Sequence, residues 1–206
     1  MLGAIWLAAP TTARCAALDT HGLIRRLAKP APASIAFTEI RFSPLLQQPL
    51  VVSGTLGYGG PTALDRQVTR PYREDTEIRG ESVRVSREHE PTRSFALKRA
   101  PELRGLLQAF TALLAGDQAA VERDFTIGAT GDEASWRLIL TPVDARARRR
   151  VKQVEIDGRE GTPRCFAVVN ASQGASVMLL GAAADAELPQ PLTREWITRF
   201  CTRSGQ

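Results

Sequence analysis

The chain has 206 residues, 43% hydrophobic and 24% charged, proportions that exclude a disordered chain and a polytopic membrane protein. That length suits one domain with a sizeable core. The net charge of +5 is scattered along the chain, which makes a surface compatible with anionic partners without specifying one.

Met1–Pro10, MLGAIWLAAP, is uncharged and apolar, and Thr-Thr-Ala-Arg-Cys-Ala-Ala follows it. The pattern predicts a signal peptide over residues 1–17, with Cys15-Ala16-Ala17 before the cleavage site. The apolar run is too short to span a bilayer. A lipid-modified Cys15 fits less well, because Arg14 stands where a small residue is expected. Residues 18–206 then form a single domain holding two cysteines, Cys165 and Cys201. In an exported protein these are a disulfide candidate, the alternative being two unpaired thiols.

Leu18–Lys29 predicts a short amphipathic helix capped by Asp19 or Thr20, with Leu23, Ile24 and Leu27 as its stripe and Pro30 and Pro32 ending it. From Ser34 the period becomes two: Ile35 and Phe37 share one face, and Thr38, Ile40 and Phe42 the other. Gln48–Tyr58 alternates likewise, with Leu50, Val52, Gly54, Leu56 and Tyr58 on one side. Gly57–Pro61 reads as a turn. Leu64–Arg70, Arg73–Arg79 and Ser82–Glu88 are charged strands with at least one wet face, and Arg93–Arg99 is another strand.

Pro101–Gly116 changes the pattern. Leu103, Leu106, Leu107, Phe110, Leu113 and Leu114 recur at helical spacing on one face, with Pro101 suited to the first turn and Gly116 to the stop. This helix either fills the core of an α+β domain or plugs a cavity that another apolar molecule can occupy. Asp117–Arg123 predicts a second short helix capped by Asp117. Five strands follow: Asp124–Ala129, Ala134–Pro142, Arg150–Asp157, Arg164–Val169 and Ala175–Leu180, with Gly131-Asp132 and Asp157-Gly158 as hairpin turns. Thr193–Arg199 is a short terminal helix. The fold class is α+β, a large antiparallel sheet in hairpins interrupted once by helix, and a closed or nearly closed barrel suits so many strands.

No catalytic chemistry is legible. His21 and His89 fall in different elements, no spacing fits a metal site, and neither a nucleophile elbow nor a phosphate loop occurs. The expectation is a non-enzyme without cofactor or metal. Asp144–Lys152, DARARRRVK, is the densest basic run. It reads as a solvated hairpin loop, or as a surface for phospholipid headgroups or another anion. Nucleic acid is not expected, since no stacking aromatics are interleaved.

Several strings recur in a telling order: Leu27-Ala28-Lys29 closing the first helix, Ala36-Phe37-Thr38-Glu39 in the first strand and Gly54-Thr-Leu in the second. Pro71, the mid-chain helix, Leu140-Thr-Pro142 and Val154-Glu-Ile-Asp-Gly158 continue it. From about Leu23 to Leu180 the chain resembles the periplasmic LolA-type lipoprotein carriers. The resemblance implies an incomplete antiparallel β-barrel whose concave apolar face is covered by helices acting as a lid. It also implies a periplasmic, monomeric protein that takes an acylated lipoprotein from an inner-membrane donor to an outer-membrane acceptor. Alternation and helical period place Phe37, Leu50, Val52, Leu56, Leu103, Leu106, Leu107, Phe110, Trp136 and Leu138 in the acyl-chain groove.

One departure bears on the cargo. Family members follow the second strand's Gly-x-Leu with Trp and then Arg-Pro, and that arginine helps hold the lid; here Gly57 and Gly60-Pro61 stand at those positions. Arg66 or Arg70 is a candidate substitute latch. The chain thus also resembles the divergent LolA-like proteins of aryl-polyene or fatty-acid-type clusters, which makes a polyene or other acylated lipid an alternative cargo. A second reading on the same scaffold is a lipid- or lipoprotein-sensing module that signals to a protein partner.

Overall fold

The computed structural model describes residues 18–99, 107, 110–172 and 174–202. The expected signal segment, Leu103 and Leu106 lie outside the described residues.

Helix α1 spans Thr20–Leu27; the Asp19 carboxylate caps it by accepting the Gly22 N–H at 3.0 Å, which satisfies one of the orphan donors of the first turn. Strands β1 (Ala33–Phe42), β2 (Leu50–Gly60), β3 (Ala63–Arg70), β4 (Glu74–Arg79), β5 (Ser82–Arg87) and β6 (Arg93–Ala96) follow as hairpins. The mid-chain helix α2 is described at 107 and 110–115, and α3 (Gln118–Glu122) is capped by Asp117. Then come β7 (Phe125–Gly131), β8 (Trp136–Pro142), α4 (Ala145–Arg148), β9 (Val151–Arg159), β10 (Thr162–Asn170), β11 (Ala175–Leu180) and α5 (Arg194–Thr202).

The strands form one open, antiparallel sheet of eleven, in the order β6-β5-β4-β3-β2-β1-β11-β10-β9-β8-β7. Two meanders run outward from the central β1–β11 pair, so β6 and β7 are the opposite edges. The segment joining them carries α2 and α3, and the packing of Ala112, Leu113 and Val121 lays both helices on a face of the sheet.

Register decides which face. Phe37 pairs with Gly54 and Leu180, Ile156 with Leu138 and Phe166, and Leu140 with Val154 and Ile127. Directly paired residues point to the same side, so these side chains form one apolar inner surface. Leu23, Ile24 and Leu27 of α1, Ala112 and Leu113 of α2 and Val121 of α3 pack on its β7–β9 half. On the outer face, Ile40, Val177 and Leu179 pack against Ile197 of α5. There Cys165 of β10 is disulfide-bonded to Cys201 of α5, with Cα atoms 5.8 Å apart.

Some boundaries differ from the sequence expectation. Asp157-Gly158 is not a turn: β9 runs to Arg159, and Glu160 and Gly161 turn the chain with φ of 48° and 92°. Gly158 lies opposite Trp136, where a Cβ would come within 2.2 Å of the indole, so this glycine makes room for a ring instead of a bend. Asp157 beside it accepts from Arg137 Nε and Nη2 at 2.7 and 3.1 Å. Likewise β2 continues through Gly60 and turns at Pro61-Thr62. Strand β6 ends at Ala96, and Leu97–Arg99 forms a 3-10 turn whose Leu97 N–H donates to the Glu81 carbonyl. Within the basic run Asp144 caps a turn of helix, accepting the N–H groups of Arg146 and Ala147 at 2.9 and 2.8 Å.

Candidate functional site

The inner surface is not filled completely by the helices. Under the C-terminal turns of α2 lies a cavity of about 180 Å³. Its floor is Ile35, Leu56, Tyr58, Leu64, Ile156, Phe166 and Leu180 from six strands, and its roof is Leu27 of α1 with Phe110, Leu113 and Leu114 of α2. Phe110 meets Phe166 edge to face at 5.5 Å between centroids. An apolar cavity of ~150 Å³ stays dry and takes up benzene, so this one admits a short piece of hydrocarbon as it stands.

Two contacts fix the roof at its end. The Lys29 N–H donates to the Leu114 carbonyl at 2.8 Å, tying α2 to the segment that enters β1. Gly116 follows with φ of 71°, and a Cβ there would sit 3.1 Å from that of Ala28. A left-handed residue pressed against a neighbouring helix end calls for glycine.

Farther along the strands, at the end where β1 meets the β1–β2 loop, the same inner face becomes charged. The Glu39 carboxylate is buried. It accepts from Arg41 Nε and Nη2 at 2.7 and 2.9 Å, from Arg66 Nη2 and from the Ser176 hydroxyl. Arg66 Nη1 donates on to Glu74 at 3.0 Å, and Glu74 also accepts from Arg87 Nε at 2.6 Å. The Arg66 guanidinium lies over the Phe37 ring, 5.0 Å from its centroid. Burial alone would raise the Glu39 carboxyl. The hydrogen bonds from Arg41 and Ser176, with the positive charge of Arg41 and Arg66, outweigh it and hold the group at about 2. The groove thus has an apolar end and an ionic end.

The residues singled out from sequence divide between these regions. Leu56 and Phe110 line the cavity. Phe37 and Val52 pack tightly between cavity and ion pairs, with Leu50 against them, while Trp136 and Leu138 are sealed beneath the helices. Leu107 is half-buried. Arg66 bonds to Glu39 and Glu74 within the sheet, and Arg70 is exposed at the end of β3. Sequence reasoning missed Tyr58, Leu64, Ile156 and Phe166 as cavity walls, and the ionic chain apart from Arg66. A signal for the latter existed, since Glu39 and Arg41 share strand parity with Ile35 and Phe37.

Among the described residues, no group of three His, Cys, Asp or Glu side chains is placed to hold a metal, and no helix is long and apolar enough to cross a membrane. A family model described as outer membrane lipoprotein carrier protein LolA-like matches residues 12–203. No curated protein matches the sequence significantly. Among solved structures, the LolA superfamily protein NE2245 from Nitrosomonas europaea is similar at 12% identity and a TM-score of 0.44, over 87% of this chain and 99% of that one. The MucA/MucB complex of Pseudomonas aeruginosa follows at 13% identity and 0.41, over 82% of this chain and 59% of that one. LprF from Mycobacterium bovis follows at 12% and 0.37, over 85% and 94%.

Proposed function

The chain belongs to the LolA-like family of outer membrane lipoprotein carrier proteins, and from that premise we propose that it is a periplasmic carrier. Its cargo is the acyl chain of a lipoprotein or of another acylated or polyene lipid, shielded in the groove on the way to the outer membrane. The observation that supports this reading most is the apolar cavity beneath α2, roofed by Phe110, Leu113 and Leu114. Each CH₂ moved from water into such a site contributes about 0.8 kcal/mol, so shielding alone suffices and no covalent step is needed. The cavity takes only the first part of a long chain. Longer cargo enters as α2 gives way, and return of the helix expels it.

The test is titration of the purified protein with fluorescent fatty acids and a lipopeptide of graded chain length. Saturable binding that strengthens with length is expected. Leu114→Glu, which puts a charge in the roof, and Ile35→Trp, which fills the cavity from the floor, should each weaken it at least tenfold while circular dichroism stays unchanged. No saturable binding at any chain length would overturn the reading.

A further inference from the structure

The exposed large aliphatic side chains among the described residues are Leu45, Leu46 and Val143, at 93%, 45% and 44% exposure. All three lie at one end of the sheet. Phe42 pairs with Ala175, Ala175 with Val169 and Val169 with Gln153, while Leu140 pairs with Val154 one step inward. The β1–β2 loop carrying Leu45 and Leu46 therefore leaves the sheet level with the β8–β9 connection carrying Val143. The two points are four strands apart, about 19 Å along the sheet.

Both are built turns. The Ser43 hydroxyl oxygen accepts the Leu45 N–H at 3.2 Å and the Ser43 carbonyl accepts that of Leu46 at 3.1 Å, which presents the leucines at the tip of an uncharged loop, SPLLQQP. Arg148 Nη1 donates to the carbonyls of Pro142 and Val143 at 3.1 and 2.6 Å, so the backbone beside the exposed valine is satisfied from within. Around Val143, residues 143–150 hold four arginines and one aspartate, a net +3, and Arg146, Arg148 and Arg149 are exposed.

We propose that this end of the sheet is a docking edge for an anionic phospholipid bilayer, with Leu45, Leu46 and Val143 entering the interface and the arginines meeting headgroups. Three aliphatic side chains are far too little for a protein interface of ordinary size. Membrane attachment needs only a few inserted apolar groups with basic residues beside them. A plane also meets two tips at one end of the sheet without requiring complementary relief. Arg41, the last inner-face residue of β1, lies next to this loop, so a bilayer seated here faces the ionic end of the groove. The proposal does not depend on what the groove carries.

The test is flotation of the purified protein with vesicles of phosphatidylcholine alone and with about a third phosphatidylglycerol. Binding at least tenfold stronger to the anionic vesicles, falling with salt, is expected. L45S/L46S should lower it at least tenfold, and R146Q/R149Q should remove most of the preference for phosphatidylglycerol. Both variants should bind the fluorescent fatty acid in vesicle-free buffer as the parent does, which separates failure of the docking edge from failure of the carrier reading. Absence of anionic-vesicle binding by the parent, or equal binding by parent and both variants, would overturn the proposal. So would docking onto a protein partner through this edge without any affinity for lipid.

Discussion

Glu39→Gln is the sharpest probe of how the ionic end of the groove is held. The substitution keeps the shape of the side chain and removes its charge, leaving Arg66 over Phe37 with Glu74 alone. A carboxyl held at about 2 instead of 4.5 stabilises the folded chain by about 3 kcal/mol at neutral pH. Because the folded-state value is depressed, that contribution is complete above the unfolded value and drains away as pH falls from about 5 toward 2. Urea denaturation followed by circular dichroism, on parent and variant near pH 7, 5 and 3, isolates Glu39 from the other acids. The variant should be about 3 kcal/mol less stable near pH 7, and the gap should narrow steadily on acidification. A loss under about 1 kcal/mol at neutral pH, or a gap that does not change with pH, would refute the reasoning.

Two further outcomes concern the frame around the groove. Cys201→Ser opens a disulfide that spans 36 residues. The chain-entropy relation for such a loop gives about 3–4 kcal/mol, so thermal unfolding should occur markedly earlier, and hydrogen exchange should show α5 losing protection first. Gly158→Ala places a methyl 2.2 Å from the Trp136 ring and 2.5 Å from the Thr162 carbonyl. Overpacking of this kind costs about 1–3 kcal/mol, readable as a lower urea midpoint with altered tryptophan fluorescence.

Most of the strands were legible because alternation in an antiparallel sheet reports burial directly. The parity of Ile35, Phe37 and Leu50–Tyr58 assigns β1 and β2 to the inner face, where register confirms it. Reading failed where one residue serves two purposes. A glycine after aspartate signals a turn, but Gly158 is glycine because Trp136 crosses it. Charged residues on an inner face were also hard to place, since Glu39 and Arg41 look like solvent residues until Arg66, Glu74 and Arg87 arrive from three other strands. Phe166 was hidden for another reason: both faces of β10 are apolar, Phe166 and Val168 on the inner side and Cys165 and Ala167 on the outer, so alternation does not mark the inner one.

The apolar inner face explains why a helix, and not another strand, covers the groove. A strand laid across the inner face would leave its N–H and C=O groups without partners, whereas a helix carries its own hydrogen bonds and needs only apolar contact. That makes it separable from the sheet. Among the described residues, what holds α2 down is the burial of Ala112 and Leu113, the partial burial of Phe110 and Leu114, the Phe110–Phe166 contact and the Lys29–Leu114 hydrogen bond. On the proposed reading, an acyl chain of roughly sixteen carbons brings about 13 kcal/mol of gross transfer energy at ~0.8 kcal/mol per CH₂. Ordering the chain and freeing the helix take back much of it. On that reading helix and cargo compete for one apolar surface, so return of the helix opposes retention of the cargo.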